Sequence, residues 1–246
     1  MRGLQPGCIY HIFNRGNNRD ILFIEERNYQ YFLRLYRKYV EPVAATYAYC
    51  LIPNHFHFLI RTRTLEEQKV WKLGQGAKTS PVAQASWETF LACPARIECA
   101  FRETFPVCPA RIECAFSPQT GKVCGAGENW KPLEPSQQFS NFFNAYAKAI
   151  NKAYRRRGSL FQKKFHRLIV GDDEYLKRLV FYIHNNPVKH HITKDMTSYP
   201  YSSYGEIVRS ETTIAGLDKT LFLFRGRDEF IHFHQRSRNN SDFSSI

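Results

Sequence analysis

Residues 51–60 read LIPNHFHFLI, which sets His55 and His57 on either side of one phenylalanine in an otherwise apolar run. In an extended strand, side chains two apart point to the same side of a sheet. The two imidazoles would then stand together, with Phe56 and Phe58 facing the other way. Such a pair suits a metal ion but leaves it short of protein ligands, and core histidines with backbone partners explain the same spacing. A second group lies further along the chain, where Tyr182 and Asn186 fall one helical turn apart on one face. The Asn186 amide oxygen could complete a three-ligand site, leaving the remaining positions to phosphate oxygens and water. Tyr182 would point at the same spot. A phenol with a pKa of about 10 is a weak nucleophile, and a cation that polarises a phosphate helps it. Spacing alone reads Tyr182 first as a core aromatic beside Ile183.

Charge narrows the partners. The 246 residues carry 35 Lys and Arg against 22 Asp and Glu, a formal net charge of +13. That excess favours a polyanion, nucleic acid before an anionic membrane surface. No apolar run approaches the roughly 18–20 residues of a membrane span. The opening MRGLQPGCIYHIFNRG lacks the apolar core of a signal peptide, so the expectation is a cytoplasmic protein with no membrane partner. Five of the seven cysteines lie between 93 and 124, where CPARIECAF occurs at 93–101 and again at 108–116. Their spacing is not a usual zinc spacing, and two copies are too few for a repeat fold. A translated duplication inside an older gene accounts for them best.

The elements that must position these groups follow from periodicity. Residues 8–15 read as a strand closed by a Gly16-Asn17-Asn18 turn, and 25–39 as a helix with Tyr29, Phe32, Leu33 and Tyr36 on one stripe. Strands are expected at 43–51 and 55–61. From about 64 to 135 periodicity fades, and a loosely ordered insertion is expected. Phe139, Phe142, Phe143, Tyr146 and Ile150 then mark a helix ending at Arg155-Arg156-Arg157-Gly158. Residues 160–170 suggest a strand, and Asp172 or Asp173 caps a helix that Pro187 is expected to stop. The order is that of a ferredoxin-like α+β fold: a βαββαβ antiparallel sheet with helices on one face, plus an additional helix carrying the tyrosine. The domain would span 1–196, and a C-terminal extension, 197–246, would pack on it and end in a disordered tip.

Four stretches, YHIFNRGNNRD (10–20), AYCLIPNHFHFLI (48–60), GSLFQKKFHR (158–167) and FYIHNNPVKHH (181–191), resemble the single-tyrosine HUH transposases. More narrowly, they are similar to the REP-associated tyrosine transposases, in the family's order. The resemblance implies that His55 and His57 are metal ligands, Tyr182 the nucleophile and Asn186 the helix-borne third ligand. It implies Mg²⁺ or Mn²⁺ as cofactor and single-stranded or hairpin DNA as substrate. It further implies attack of tyrosine on the scissile phosphate, leaving a 5′-phosphotyrosine and a free 3′-hydroxyl. Two nitrogens and an amide oxygen suit Mn²⁺ better than Mg²⁺, which prefers oxygen shells. Family members act as a monomer or a homodimer.

Basic residues would line the DNA path: Arg15 and Arg19 at the first turn, then Arg155, Arg156, Arg157, Lys163, Lys164 and Arg167 around the fourth strand. Phe161 and Phe165 among them could stack unpaired bases. Singly, each is equally a solvated surface charge. A second H-x-H, His232 and His234, lies in a helical stretch where i and i+2 diverge and is discounted. His184, His190 and His191 cluster near the tyrosine helix and read equally as DNA or solvent contacts, and His11, next to the expected sheet centre, reads as structural. Competing functions are a hairpin-binding protein without cleavage, such as a repressor or an insertion-damaged remnant, and an RNA-binding ferredoxin-like module. The last does not explain two histidines on a central strand.

Overall fold

The computed structural model describes residues 3–77, 130–162, 164–210 and 216–238. Strand β1 (Ile9–Arg15) leads through a short 3₁₀ turn (Asn17–Arg19) to α1 (Glu26–Tyr39), and β2 (Ala44–Ile52) and β3 (His55–Thr62) follow as a hairpin. Next come α2 (Leu65–Ala77), α3 (Pro135–Ala153), β4 (His166–Val170) and α4 (Asp173–Lys189). Helices α5 (Ser203–Arg209), α6 (Leu217–Leu223) and α7 (Arg227–Arg238) complete the described chain. The four strands form one antiparallel sheet in the order β2-β3-β1-β4. By contacts the chain divides into two units, residues 1–68 with 133–246, and residues 69–132. Among the described residues no helix is long and apolar enough to cross a membrane.

Strand alternation sends the two residue sets to different layers. Tyr10, Ile12, Phe56, Phe58 and Ile60 pack with Phe32 and Tyr36 of α1 and Phe139, Phe142 and Tyr146 of α3. Ala48, Cys50, Ile52 and Leu59 meet Leu176, Leu179, Val180 and Ile183 of α4. Coverage on both faces explains why β2 and β3 read as nearly continuous apolar runs rather than clean alternation. The buried phenols keep partners: Tyr36 Oη lies 2.7 Å from Thr46 Oγ1, and Tyr146 Oη donates to Leu22 O at 2.8 Å.

The turn that follows β1 is fastened to the β2–β3 hairpin. Gly16 N donates to Asn54 O at 2.8 Å, and the amides of Leu22 and Phe23 donate to Pro53 O at 2.7 and 3.0 Å. A Cβ on Gly16 would meet Asp20 O at 2.0 Å, so this close approach requires glycine. On the outer edge of β2, Leu51 N donates to Tyr201 O and Tyr49 N to Ser203 Oγ, at 2.9 and 2.8 Å. Residues 201–203 thereby cover an edge that would otherwise present free backbone groups.

Three expectations differ from what is observed. Only 166–170 of the expected 160–170 strand joins the sheet, because the chain before it makes a single bridge, Phe161 to Gly16, and then departs. Pro187 does not stop α4. It sits in the last turn, where its missing N–H deprives only Ile183 O of a partner, and the helix runs on to Lys189. The interval expected to be irregular from 64 opens with α2, whose start is set by a reciprocal cap: Glu67 N donates to Thr64 Oγ1 and Thr64 N to Glu67 Oε2. Residues 78–129, with five of the cysteines and the duplicated CPARIECAF, lie outside the described residues, as do 239–246. The other two cysteines, Cys8 and Cys50, are free thiols.

Candidate active site

Odd-numbered residues of β1 and β3 face α4. In the antiparallel register Phe13 lies opposite His57 and Arg15 opposite His55, which places the two histidines at the centre of the sheet beside the tyrosine helix. Asp172 starts that helix by accepting from Tyr175 N at 2.7 Å, and the helical period brings Tyr182 and Asn186 onto the histidine side. The Tyr182 ring stands edge-on to His57, with centroids 5.6 Å apart and planes at 87°. His55 and His57 are likewise edge-on, at 5.2 Å.

Asn186 is fully buried. Its Nδ2 donates to Tyr182 O at 3.0 Å, while its Oδ1 has no well-formed hydrogen bond among the described residues. The amide lies close enough to affect the ionisation of both His55 and Tyr182. A buried acceptor left unpaired is costly, so this oxygen is a group in need of a ligand. The four residues expected to form the reactive centre, His55, His57, Tyr182 and Asn186, thus converge.

Burial sets the charge of the site. It holds His57 well below the ordinary imidazole range, with His11 and His55 alongside adding to the effect. Burial also brings His55 down to about 4, helped by His190 and opposed by Asn186. Both rings are therefore neutral at pH 7, the form in which an imidazole nitrogen binds a cation. Burial raises the Tyr182 phenol above its usual value, with Asn186 pulling the other way. Lys189 Nζ lies 4.9 Å from the Tyr182 ring centroid.

No cluster of three or more His, Cys, Asp or Glu side chains able to hold a metal exists among the described residues. The donors on hand are two neutral imidazoles and one orphaned amide oxygen. That mixed nitrogen and oxygen set could hold a divalent cation while leaving part of its coordination open.

Three neighbours join the centre without a role assigned to them by sequence. His11 Nε2 lies 2.9 Å from His57 Nδ1, in a buried contact. His190 meets His55 with ring centroids 4.7 Å apart. His166 stacks on Phe13 at 4.9 Å and 10°, and Phe13 in turn stacks on His57 at 5.6 Å. The expected ferredoxin-like order already sets β1 beside β3 and His11 next to the sheet centre; what spacing does not give is its contact with the His57 ring.

The basic residues divide. Arg15, on the histidine face, and Arg19 are exposed, as are Arg155, Arg157 and Lys164. Arg156 is held in an ion pair with Asp20 at 2.6 Å, which ties the turn after α3 to the turn after β1. Lys164 and Arg167 line a groove of about 600 Å³ together with Asn14, Asn144, Asn151 and Gln162. Arg167 pairs with Ile12 across the sheet, so this groove opens on the face away from the histidines. Arg167 also stands 5.9 Å from the Phe165 ring. Lys163 lies outside the described residues. The discounted pair does diverge: His232 is exposed, whereas His234 is fully buried and meets His184 at 2.9 Å.

No protein-family description matches the chain, and no curated protein matches it by sequence. Among solved structures the chain is similar to a REP-associated tyrosine transposase bound to a REP hairpin, at 14% identity over 87% of each chain, with a TM-score of 0.47.

Proposed function

We infer that this protein is a metal-dependent single-strand DNA endonuclease and strand-transferase of the REP-associated tyrosine transposase type, acting on hairpin-forming palindromes. The observation that carries the reading is the edge-on approach of Tyr182 to His57, with the unpaired Asn186 oxygen one turn away. The strand order β2-β3-β1-β4 agrees with a ferredoxin-like sheet, and α4 then serves as the added helix that brings the nucleophile.

His55, His57 and Asn186 would hold Mn²⁺ or Mg²⁺, which when bound supplies polarisation of the scissile phosphate. The chain's own groups do the rest. Tyr182 Oη forms a bond to phosphorus, the bond from phosphorus to the 3′-oxygen breaks, the phenol proton is lost and the leaving oxygen takes one up. The products are a 5′-phosphotyrosine and a free 3′-hydroxyl, and the latter can reverse the step on another strand. Burial of His57 and His55 keeps both imidazoles uncharged and available. Exposed Arg15 beside His55 would meet the strand's phosphates, and Arg19, Arg155, Arg157, Lys163, Lys164 and Arg167 would extend the path.

A second reading, hairpin binding without cleavage, is favoured by the half-burial of the Tyr182 phenol, which raises its pKa and leaves less phenolate to attack. One experiment separates the two. Labelled single-stranded hairpin DNA is incubated with the protein and Mn²⁺, and a denaturing gel is scored for a covalent adduct. An adduct that disappears in Tyr182→Phe is expected. Retention of DNA with no adduct would leave binding alone, and an adduct that persists in Tyr182→Phe would exclude this nucleophile.

A further inference from the structure

An imidazole has two nitrogens, and a neutral ring can offer only one lone pair at a time. Which nitrogen is offered depends on the partner of the other. In this site both histidines are engaged through the same atom. His57 Nδ1 faces His11 Nε2 at 2.9 Å, across neighbouring strands. His55 Nδ1 faces Asn54 Oδ1 at 2.8 Å. An amide oxygen only accepts, so His55 Nδ1 carries the hydrogen and its Nε2 carries the lone pair. The same follows for His57 if His11 Nε2 is the acceptor.

We propose that His11 and Asn54 are positioning residues that fix the tautomer and ring orientation of His57 and His55, so that both present Nε2 to one cation. The proposal rests on the metal-centre reading above and goes beyond its three ligands. His11 is well placed for the task. It is buried, at 5% exposure, and its ring lies against Phe13 at 4.8 Å, which limits its swing. Asn54 is anchored too, since its own carbonyl accepts from Gly16 N and the neighbouring Pro53 carbonyl accepts from Leu22 and Phe23. The connection that folds β1 back over the β2–β3 turn therefore also steadies the partner of a ligand. Outer partners of this kind typically change metal affinity roughly 10–100-fold when removed.

The test has a metal-free and a metal-loaded arm. In metal-free protein at pH 7.5, long-range ¹H–¹⁵N NMR of the imidazoles should give the Nδ1–H tautomer for His55 and His57. Mn²⁺ titration followed by electron paramagnetic resonance should then show an affinity loss of roughly 10–100-fold in His11→Ala and in Asn54→Ala. His11→Gln, whose amide oxygen reaches about as far as Nε2, should restore most of it, and its circular dichroism should match the wild type. An Nε2–H tautomer at His57, or wild-type Mn²⁺ affinity in folded His11→Ala, would overturn the proposal. A wild-type protein that takes up no Mn²⁺ would instead overturn the reading of the site as a metal centre.

Discussion

The Gln68 side chain and the Leu133 backbone close a ring across a 65-residue separation: Gln68 Nε2 donates to Leu133 O at 3.2 Å, and Leu133 N donates to Gln68 Oε1 at 3.0 Å. The two ends of the intervening segment, at Gln68 and Leu133, are therefore held together. Gln68 is almost fully buried, at 4% exposure, and belongs to the folded core.

A short linker should replace that segment. Loop-closure entropy changes by about 0.6 kcal/mol per halving of the connection, so shortening it from 65 residues to about five is worth at most about 2 kcal/mol. Substituting a Gly/Ser linker for residues 70–131 should leave the urea midpoint unchanged or raised, with hairpin-DNA affinity preserved. A collapse of stability on excision would mean that the segment contributes to the core. A gain of cleavage on excision would identify it as an obstruction.

The Tyr182 phenol sets a pH profile. Burial raises its pKa, so across neutral pH the phenolate is a minor species that grows tenfold per pH unit. Single-turnover cleavage with Mn²⁺ should rise with a log-rate slope of about +1 from pH 6 to 8.5 and show no plateau. Loss of ligands to protonation should not intrude, because His55 is held down to about 4 and His57 well below its ordinary value. A plateau near pH 7 would show that a neighbouring base, with His190 the first to examine, takes the proton.

Removing Asn186 should separate stability from metal affinity. Among the described residues its side chain donates one well-formed hydrogen bond, back to Tyr182 O, and its oxygen has no well-formed partner. Asn186→Ala exchanges that orphan for a better helix former and should change the unfolding free energy by only about 1 kcal/mol either way. Mn²⁺ affinity, measured by calorimetry, should fall at least roughly tenfold. Equal affinity in the variant would remove Asn186 from the ligand set.

The strands and main helices were legible because each layer has its own period. The stripe Tyr29, Phe32 and Tyr36 and the histidine hairpin both fall where spacing put them. Leu160 and Phe161 misled because apolar residues beside a strand can anchor a bridge and core contacts without joining the ladder. Pro187 misled because a proline breaks a helix by the bonds it removes, and few remain to remove in a last turn. Helix α2 was missed although Thr64 and Glu67 spell its cap, since its weak amphipathic pattern gave no stripe to follow. His11 and His234 owe their partners to strand order and helix docking, which local periodicity does not encode.

The basic residues should not behave alike in DNA binding. Arg155 is exposed, whereas the Arg156 guanidinium is tied to Asp20 at 2.6 Å. Arg155→Ala should weaken single-strand binding for all sequences and lower the slope of log K against log salt by about 0.7. Arg156→Ala should instead free the turn after α3 from Asp20, seen as faster amide exchange around 155–158, with a smaller change in slope. Fluorescence anisotropy between 50 and 300 mM salt decides, and identical slopes for both variants would show that the ion pair opens to let Arg156 reach the strand.

His184 and His234 form a relay whose protons are fixed from one end. His234 Nδ1 lies 2.7 Å from Phe230 O, which only accepts, so Nδ1 donates and Nε2 is left to accept from His184 Nδ1 at 2.9 Å. His184 Nε2 then accepts from Ser203 Oγ at 2.8 Å. Both rings are fully buried, and burial holds His184 well below its ordinary value and His234 at about 4. A histidine depressed in the folded state binds its proton more readily when unfolded. Stability is therefore fully present above pH 6.5 and falls as pH drops from there, for His234 toward about 4 by up to about 1.4 kcal/mol per pH unit, with His184 acting in the same direction. His234→Phe keeps an aromatic ring, somewhat larger than imidazole, but leaves the His184 Nδ1–H unpaired, so at pH 7.5 it should cost about 1–3 kcal/mol in urea unfolding. Between pH 6 and 5 the same variant should lose stability less steeply than the wild type, by one ring's share. Parallel pH profiles for the two proteins would mean that His234 takes up its proton without unfolding, through an opening of α7 from α4.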